Sequence, residues 1–151
     1  MSMKRQRQGG FLIAKIHQVA GRIFARKLKQ HGIDEINPAQ GRLMFVLWRE
    51  DGISINELAK RTSLKKSTLT SMLDRLEATG HLKRVPSRTD RRQVLIRRTA
   101  KDMALEDVYV EASQDMTKLF YKGFTVAEVG RFEEDLHRIL ENLTDFETNL
   151  Q

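Results

Sequence analysis

Residues Ile53 to Arg98 read ISINELAKRTSLKKSTLTSMLDRLEATGHLKRVPSRTDRRQVLIRR, and a change of hydrophobic period inside this stretch decides the fold. Ser54 followed by Glu57 is a capping box, which predicts a short helix carrying Ile55, Leu58 and Ala59 toward a core. Thr62, Ser63 and Leu64 make a tight turn. Leu69, Met72, Leu73 and Leu76 then recur at helical spacing, and Gly80 stands where a left-handed residue ends a helix. Two helices joined by a short turn make a helix-turn-helix. After Gly80 the period shortens: His81 to Val85 and Gln93 to Arg97 read as strands, with Leu82, Val85, Val94 and Ile96 as their apolar members. The turn between them, Pro86 to Arg92, gathers Arg88, Arg91 and Arg92 around Asp90. This hairpin is a wing.

The second helix is built against its own electrostatics. Lys65 and Lys66 stand at its N-terminus, where the macrodipole favours anions. A phosphate arriving there would reverse the sign, because backbone N–H groups and lysines would converge on it. At about 100° per residue, Ser67, Thr70 and Ser71 lie opposite the leucine stripe, with Thr68 and Arg75 on a flank. Small hydroxyl side chains leave that face free to approach base edges in a major groove; the competing reading is a merely solvated face. Asp74 shares the face and repels phosphate, so it is assigned a salt bridge with a nearby arginine. The arginine-tipped hairpin is suited to an adjacent minor groove.

The string LKKSTLTSMLDRLEATGHLKRVPSRTDRRQVLIRRT resembles the recognition helix and wing of the MarR family of prokaryotic transcription regulators, which includes the SlyA type. Leu69, Thr70, Leu73, Asp74, Leu76, Glu77 and Gly80 carry the match in the helix, and Asp90, Arg92 and Thr99 carry it around the wing. The helix order on either side agrees with the family plan. The resemblance implies that Arg92 is the minor-groove arginine and that Asp90 orients it. One departure stands out: Arg97 and Arg98 end the second wing strand, where the family often has an apolar or small residue. They either add phosphate contacts or are solvated.

Charge distribution agrees with a DNA-facing middle. Residues 60–101 carry thirteen basic and three acidic side chains, whereas residues 102–151 carry four and twelve. Positive charge concentrated on the helix-turn-helix and wing is the footprint of a nucleic-acid surface. A chain of 151 residues, 40% hydrophobic and 31% charged, is long enough for a real core in one domain or two merged ones. There is no apolar run of the ~20 residues needed to span a bilayer and no signal-peptide pattern, which predicts a cytoplasmic protein. The absence of cysteine excludes disulfides, thiolate zinc sites and cysteine-based redox sensing within this chain.

The flanking segments read as helices. Phe11 to Lys29 carries a broad apolar stripe, preceded by the basic tail residues Lys4, Arg5 and Arg7, which are either solvated or in contact with phosphate. Asn37 and Pro38 open a helix through Arg49, whose run Leu43 to Trp48 predicts near-complete enclosure. Thr99 with Asp102 caps a long helix, which Gly123 and Phe124 break. Thr125 with Glu128 caps a last one, where Val129, Phe132, Leu136, Ile139, Leu143, Phe146 and Leu150 form a heptad seam. Such a seam can be satisfied within one chain. A lone recognition helix makes few contacts, however, and operator symmetry mirrors a protein two-fold, so a homodimer through the terminal helices is expected.

No Ser/His/Asp arrangement, phosphate loop or paired carboxylates point to an enzyme. His17, His31, His81 and His137 lack metal-ligand spacing, so neither a metal nor another cofactor is expected. The resemblance implies an effector, a small aromatic or lipophilic acid bound between the dimer helices and the winged domain. Ile13, His17, Met44 and Trp48 are the residues placed to line such a crevice; the competing reading makes Met44 and Trp48 ordinary core.

The expected architecture is mostly α (α+β): a winged helix-turn-helix over residues 37–99 with a two-stranded wing, and a helical dimerisation region over residues 1–36 and 100–151. The expected function is sequence-specific, ligand-responsive repression of transcription by a homodimer on double-stranded DNA. The bases and nearby backbone fall to Ser67, Thr68, Thr70, Ser71 and Arg75, the phosphates to Lys65 and Lys66, and the minor groove to Arg92 with Arg88 and Arg91. A protein-interaction module and a non-specific architectural DNA binder are the alternatives.

Overall fold

The computed structural model describes residues 6–150. Lys4 and Arg5 of the basic tail lie outside the described residues. In chain order the elements are α1 (Gly9–Gln30), α2 (Pro38–Arg49), β1 (Ile53–Ser54), α3 (Ile55–Thr62), α4 (Lys66–Ala78), β2 (Leu82–Pro86), β3 (Val94–Arg98), α5 (Ala100–Phe120) and α6 (Val126–Asn149). Among these, no helix is long and apolar enough to cross a membrane.

Local sequence accounts for most boundaries. Asn37 caps α2 reciprocally with Gln40: each backbone N–H donates to the other's side chain, at 2.8 and 3.0 Å. Thr125 and Glu128 close the same box on α6. At α3 only half of the expected box forms. Ser54 Oγ accepts from Glu57 N, but the Glu57 carboxylate turns to Arg61 at 2.9 Å. Ser63, at φ 58°, makes the left-handed bend between α3 and α4. Gly80, at φ 83°, ends the α4 segment and lets His81 N reach back to Leu76 O.

The sheet has three strands in the order β1-β3-β2, all antiparallel. The expected two-stranded wing is the β2–β3 hairpin, and β1 adds a third strand on the other edge of β3. Ile53–Ser54 pairs with β3 but is only two residues long, too short to show an alternation in sequence. The wing strands themselves lie one residue later than expected.

Leu43, Met44 and Leu47 of α2, Leu58 of α3, Leu69, Leu73 and Leu76 of α4, and Ile96 of β3 meet at 0% exposure. Leu28 from α1 and Tyr109 and Ala112 from α5 complete this core. By compactness the described residues up to Ser113 form one unit and those from Gln114 a second. The end of α1 and the first half of α5 belong with the winged piece because their side chains fill its core. The near-complete enclosure expected of α2 also fails at Phe45, which is 45% exposed beneath the Arg49 guanidinium. In the second unit Phe120, Tyr121, Phe124 and Phe132 form an aromatic cluster at the α5–α6 turn.

Candidate nucleic-acid interface

The helix α4 presents every polar residue singled out in it. Lys65, Lys66, Ser67, Thr68, Thr70, Ser71 and Arg75 are exposed, while Leu69, Leu73 and Leu76 anchor the opposite side. Lys65 is the N-cap, in extended backbone and without a side-chain capping bond. The first-turn N–H groups of α4 therefore have no capping side chain. None of Lys65, Lys66 and Arg75 forms an ion pair with a described residue, so their charge is available to an arriving anion.

Asp74 has the partner that its position demanded. Arg84 Nη2, from β2, donates to Asp74 Oδ1 at 2.6 Å and to the Thr70 carbonyl at 3.4 Å. Glu77 Oε2 accepts from Arg84 N at 3.0 Å. Arg84 stands opposite Ile96 in the ladder and shares its inward face, which lets the guanidinium reach α4. One side chain thus ties α4 to the wing.

At the wing tip Ser87 is the organiser. It is 8% exposed, and its Oγ accepts from Thr89 N and Asp90 N at 3.3 and 3.2 Å. Asp90 Oδ1 accepts from Arg92 N at 3.0 Å. Asp90 therefore meets Arg92 at its backbone N–H and not at its guanidinium. Arg88, Arg91 and Arg92 are all exposed, and none is ion-paired with a described residue.

Other basic residues of the middle third are engaged internally. Arg61 pairs with Glu50 and Glu57. These hydrogen bonds raise its pKa above the usual guanidinium value, Glu57 contributing most. Lys101 Nζ reaches Glu35 at 2.7 Å and the Thr79 carbonyl at 2.7 Å. Arg98 is neither a phosphate contact nor solvated: its side chain is 8% exposed and its Nε lies 2.6 Å from Oδ2 of Asp102, itself 0% exposed. Burial works against the Arg98 charge, but the hydrogen bond and charge of Asp102, with help from Glu106, outweigh it and raise the pKa. Arg97 is exposed, its guanidinium lying over Gly52.

Against known proteins, a profile described as "MarR family" matches residues 36–94. The HTH-type transcriptional regulator TtmR of Methylorubrum extorquens is 41% identical over 86 residues, which cover 57% of this chain and 43% of that protein. The multiple antibiotic resistance protein MarR of Escherichia coli is 30% identical over 132 residues, covering 87% of this chain and 90% of that one. The chain belongs to the MarR family. A mutant of the E. coli MarR, solved as a complex with operator DNA, superposes with a TM-score of 0.75 at 30% identity, over 87% of this chain and 92% of that one. Against TtmR, by contrast, the chain spans less than half of the relative's length.

The four residues expected to line an effector crevice, Ile13, His17, Met44 and Trp48, are placed apart by the fold. An open crevice of about 590 Å³ lies between α1 and the start of α2, bordered by His17, Arg22, Asn37, Pro38 and Arg42. His17 is the one expected residue that lines it. Met44 is 0% exposed, and Trp48 stacks on Tyr109 with ring centroids 4.6 Å apart. Helical phase explains both: Met44 and Trp48 share the inward face of α2, whereas Pro38 and Arg42 ride outside it. Ile13 is 43% exposed on α1, away from the lining.

Sequence reasoning missed Arg84, Ser87 and the Arg98–Asp102 pair. Strand parity held a signal for two of them. Arg84 has the parity of Leu82, and Arg98 that of Ile96, so both fall at inward positions of their strands. For Ser87 the signal was local: a serine at the start of a turn, whose hydroxyl accepts from backbone N–H groups two and three residues on.

Proposed function

We propose that this chain is a sequence-specific DNA-binding transcription regulator, a ligand-responsive repressor acting as a homodimer on a pseudo-palindromic duplex. One observation carries the reading. The unpaired lysines and hydroxyl residues at α4 and the unpaired arginines of the wing tip share one compact unit, in which Arg84 ties helix to hairpin. In this assignment α4 enters the major groove, Lys65 and Lys66 hold phosphates, and Arg92 enters the minor groove with Arg88 and Arg91 beside it. The likeness to a MarR solved with operator DNA supports it.

The dimer draws support from apolar surface that one chain leaves open. Ile139, Leu143, Phe146 and Leu150 are 44, 64, 65 and 70% exposed in and just beyond α6, and Phe11 is 69% exposed in α1. A seam of this kind is covered in solution by another copy. Two recognition helices then meet half-sites about 34 to 36 Å apart, and a small rigid-body change suffices to mis-space them. The crevice at His17, Arg22 and Arg42 has no carboxylate in its lining, so it favours an anionic aromatic effector.

The test is selection from a random duplex pool at about 150 mM salt, followed by sequencing of the bound fraction. An enriched inverted repeat, bound ~10³-fold or more tighter than random duplex, is the expected result. Retention without a motif would replace the regulator by an architectural binder, and no retention would favour a protein partner. For the crevice, benzoate should release the selected duplex from the native chain and not from Arg42→Ala.

A further inference from the structure

A charged residue at an inward strand position needs a reason. Arg98 ends β3 with the inward parity of Ile96, and its guanidinium lies against the Asp102 carboxylate in the first turn of α5. Asp102 also accepts from Trp48 Nε1 at 3.5 Å, and Arg98 Nη1 reaches Glu106 at 3.4 Å. The Arg98 backbone N–H donates to Asp51 Oδ1 at 2.9 Å. One buried ion pair thereby ties the base of the wing to α5 and to the end of α2.

Stability alone does not explain such a pair. Apolar side chains of similar volume at a buried ion-pair site are often as stable or more so, because they avoid desolvating two charges. What apolar packing lacks is direction, since hydrogen bonds to a carboxylate fix an angle. The wing needs that. It is a hairpin of two five-residue strands whose tip is exposed, so the direction of the tip is set by whatever holds its base. On the β2 side the holder is Arg84.

We propose that Asp102 is a positioning residue for the wing: through Arg98 it sets the direction in which Arg88, Arg91 and Arg92 are presented, and it makes the first turn of α5 the lever that moves them. The consequence for affinity rests on the DNA-binding reading above; the consequence for the hairpin does not.

The experiment uses the full chain with two variants. Asp102→Asn leaves Arg98 buried without its counter-charge and risks unfolding. Arg98→Leu with Asp102→Ala removes both charges, and its melting temperature is expected to stay within about 4 °C of the wild type. In the paired variant, amide hydrogen exchange should accelerate about tenfold across residues 82–98 and stay unchanged in α4. Affinity for the selected duplex should fall about tenfold, and Arg92→Ala should cost less in this background than in the wild type. Unchanged exchange, or acceleration spread equally over α2 and α4, would overturn the proposal, as would full additivity with Arg92→Ala. If the wild type selects no duplex, the regulator reading falls and the exchange measurement alone decides on Asp102.

Discussion

Leu69, Leu73 and Leu76 of α4 are 0% exposed, while Leu143 and Phe146 of α6 stand 64% and 65% exposed. Both helices carry apolar residues at spacings of three and four, so their sequences promise the same thing: a face that wants cover. In the winged piece the cover comes from the same chain, as α2, α3, α5 and the sheet supply Leu47, Leu58, Tyr109 and Ile96. In α6 no residue is buried. Periodicity thus states that a face will be covered and is silent on who covers it. One region is closed by intramolecular packing, and the other is left open for the second copy of the proposed homodimer.

The sharpest test of that contrast is a matched pair of variants. Leu73→Ala should destabilise the chain by about 2 to 5 kcal/mol in denaturant melts at any protein concentration, since it opens a cavity in a closed core. Leu143→Glu combined with Phe146→Glu should leave the helical circular dichroism of dilute protein nearly intact, yet abolish the dependence of the melting temperature on concentration. Sedimentation should then show a monomer. If the two sets of variants behaved alike, the distinction between closed and open regions would be lost.

Within the closed region, Arg92→Ala should weaken binding to the selected duplex by ~1 to 3 kcal/mol and relax preference at the outer minor-groove positions. Lys66→Ala should weaken all sequences alike and reduce the slope of log K against log salt by about one. Titrations at several salt concentrations read both effects.

The smallest effect is an acid dependence at the junction of the α1–α2 linker with the wing. Lys101 Nζ and His81 Nε2 lie 2.7 and 2.9 Å from Glu35 Oε2. Their hydrogen bonds, Lys101 first, hold the Glu35 carboxyl below its ordinary range. The stabilisation is therefore complete above the unfolded-state value of about 4.3 and is lost as pH falls through the lowered folded value. Glu35→Gln should lower the melting temperature slightly at pH 7, and the difference from wild type should vanish in strong acid. Because Glu35 is half exposed, the effect stays small.

Buried hydroxyls and ion pairs divide the legible from the illegible. Caps at Asn37, Ser54, Thr99 and Thr125 were readable because a cap joins residues three apart. Asp74 was readable as an ion-pair member because a carboxylate on a phosphate-facing helix is out of place. That its partner is Arg84 was not, because β2 carries two adjacent basic residues, Lys83 and Arg84, and only the register Arg84↔Ile96 selects one. For Trp48 the sequence left both core and pocket lining open, because six apolar residues in a row hide which face of α2 turns inward; the fold stacks it on Tyr109.

By itself the sequence determined the helix-turn-helix, the hairpin, their caps and the exposed cationic face, all of which depend on residues within a few positions of one another. It determined the segregation of charge along the chain as well. Only the tertiary structure decided which charges stay free. Arg61, Arg84, Arg98 and Lys101 are drawn into pairs, with Glu50 and Glu57, Asp74, Asp102 and Glu35 respectively, while Lys65, Lys66, Arg75, Arg88, Arg91 and Arg92 pair with none of the described residues. The reason is physical: an ion pair depends on distance in space, and for Arg84, Arg98 and Lys101 the elements that supply the partners were brought together by burial of the leucine core.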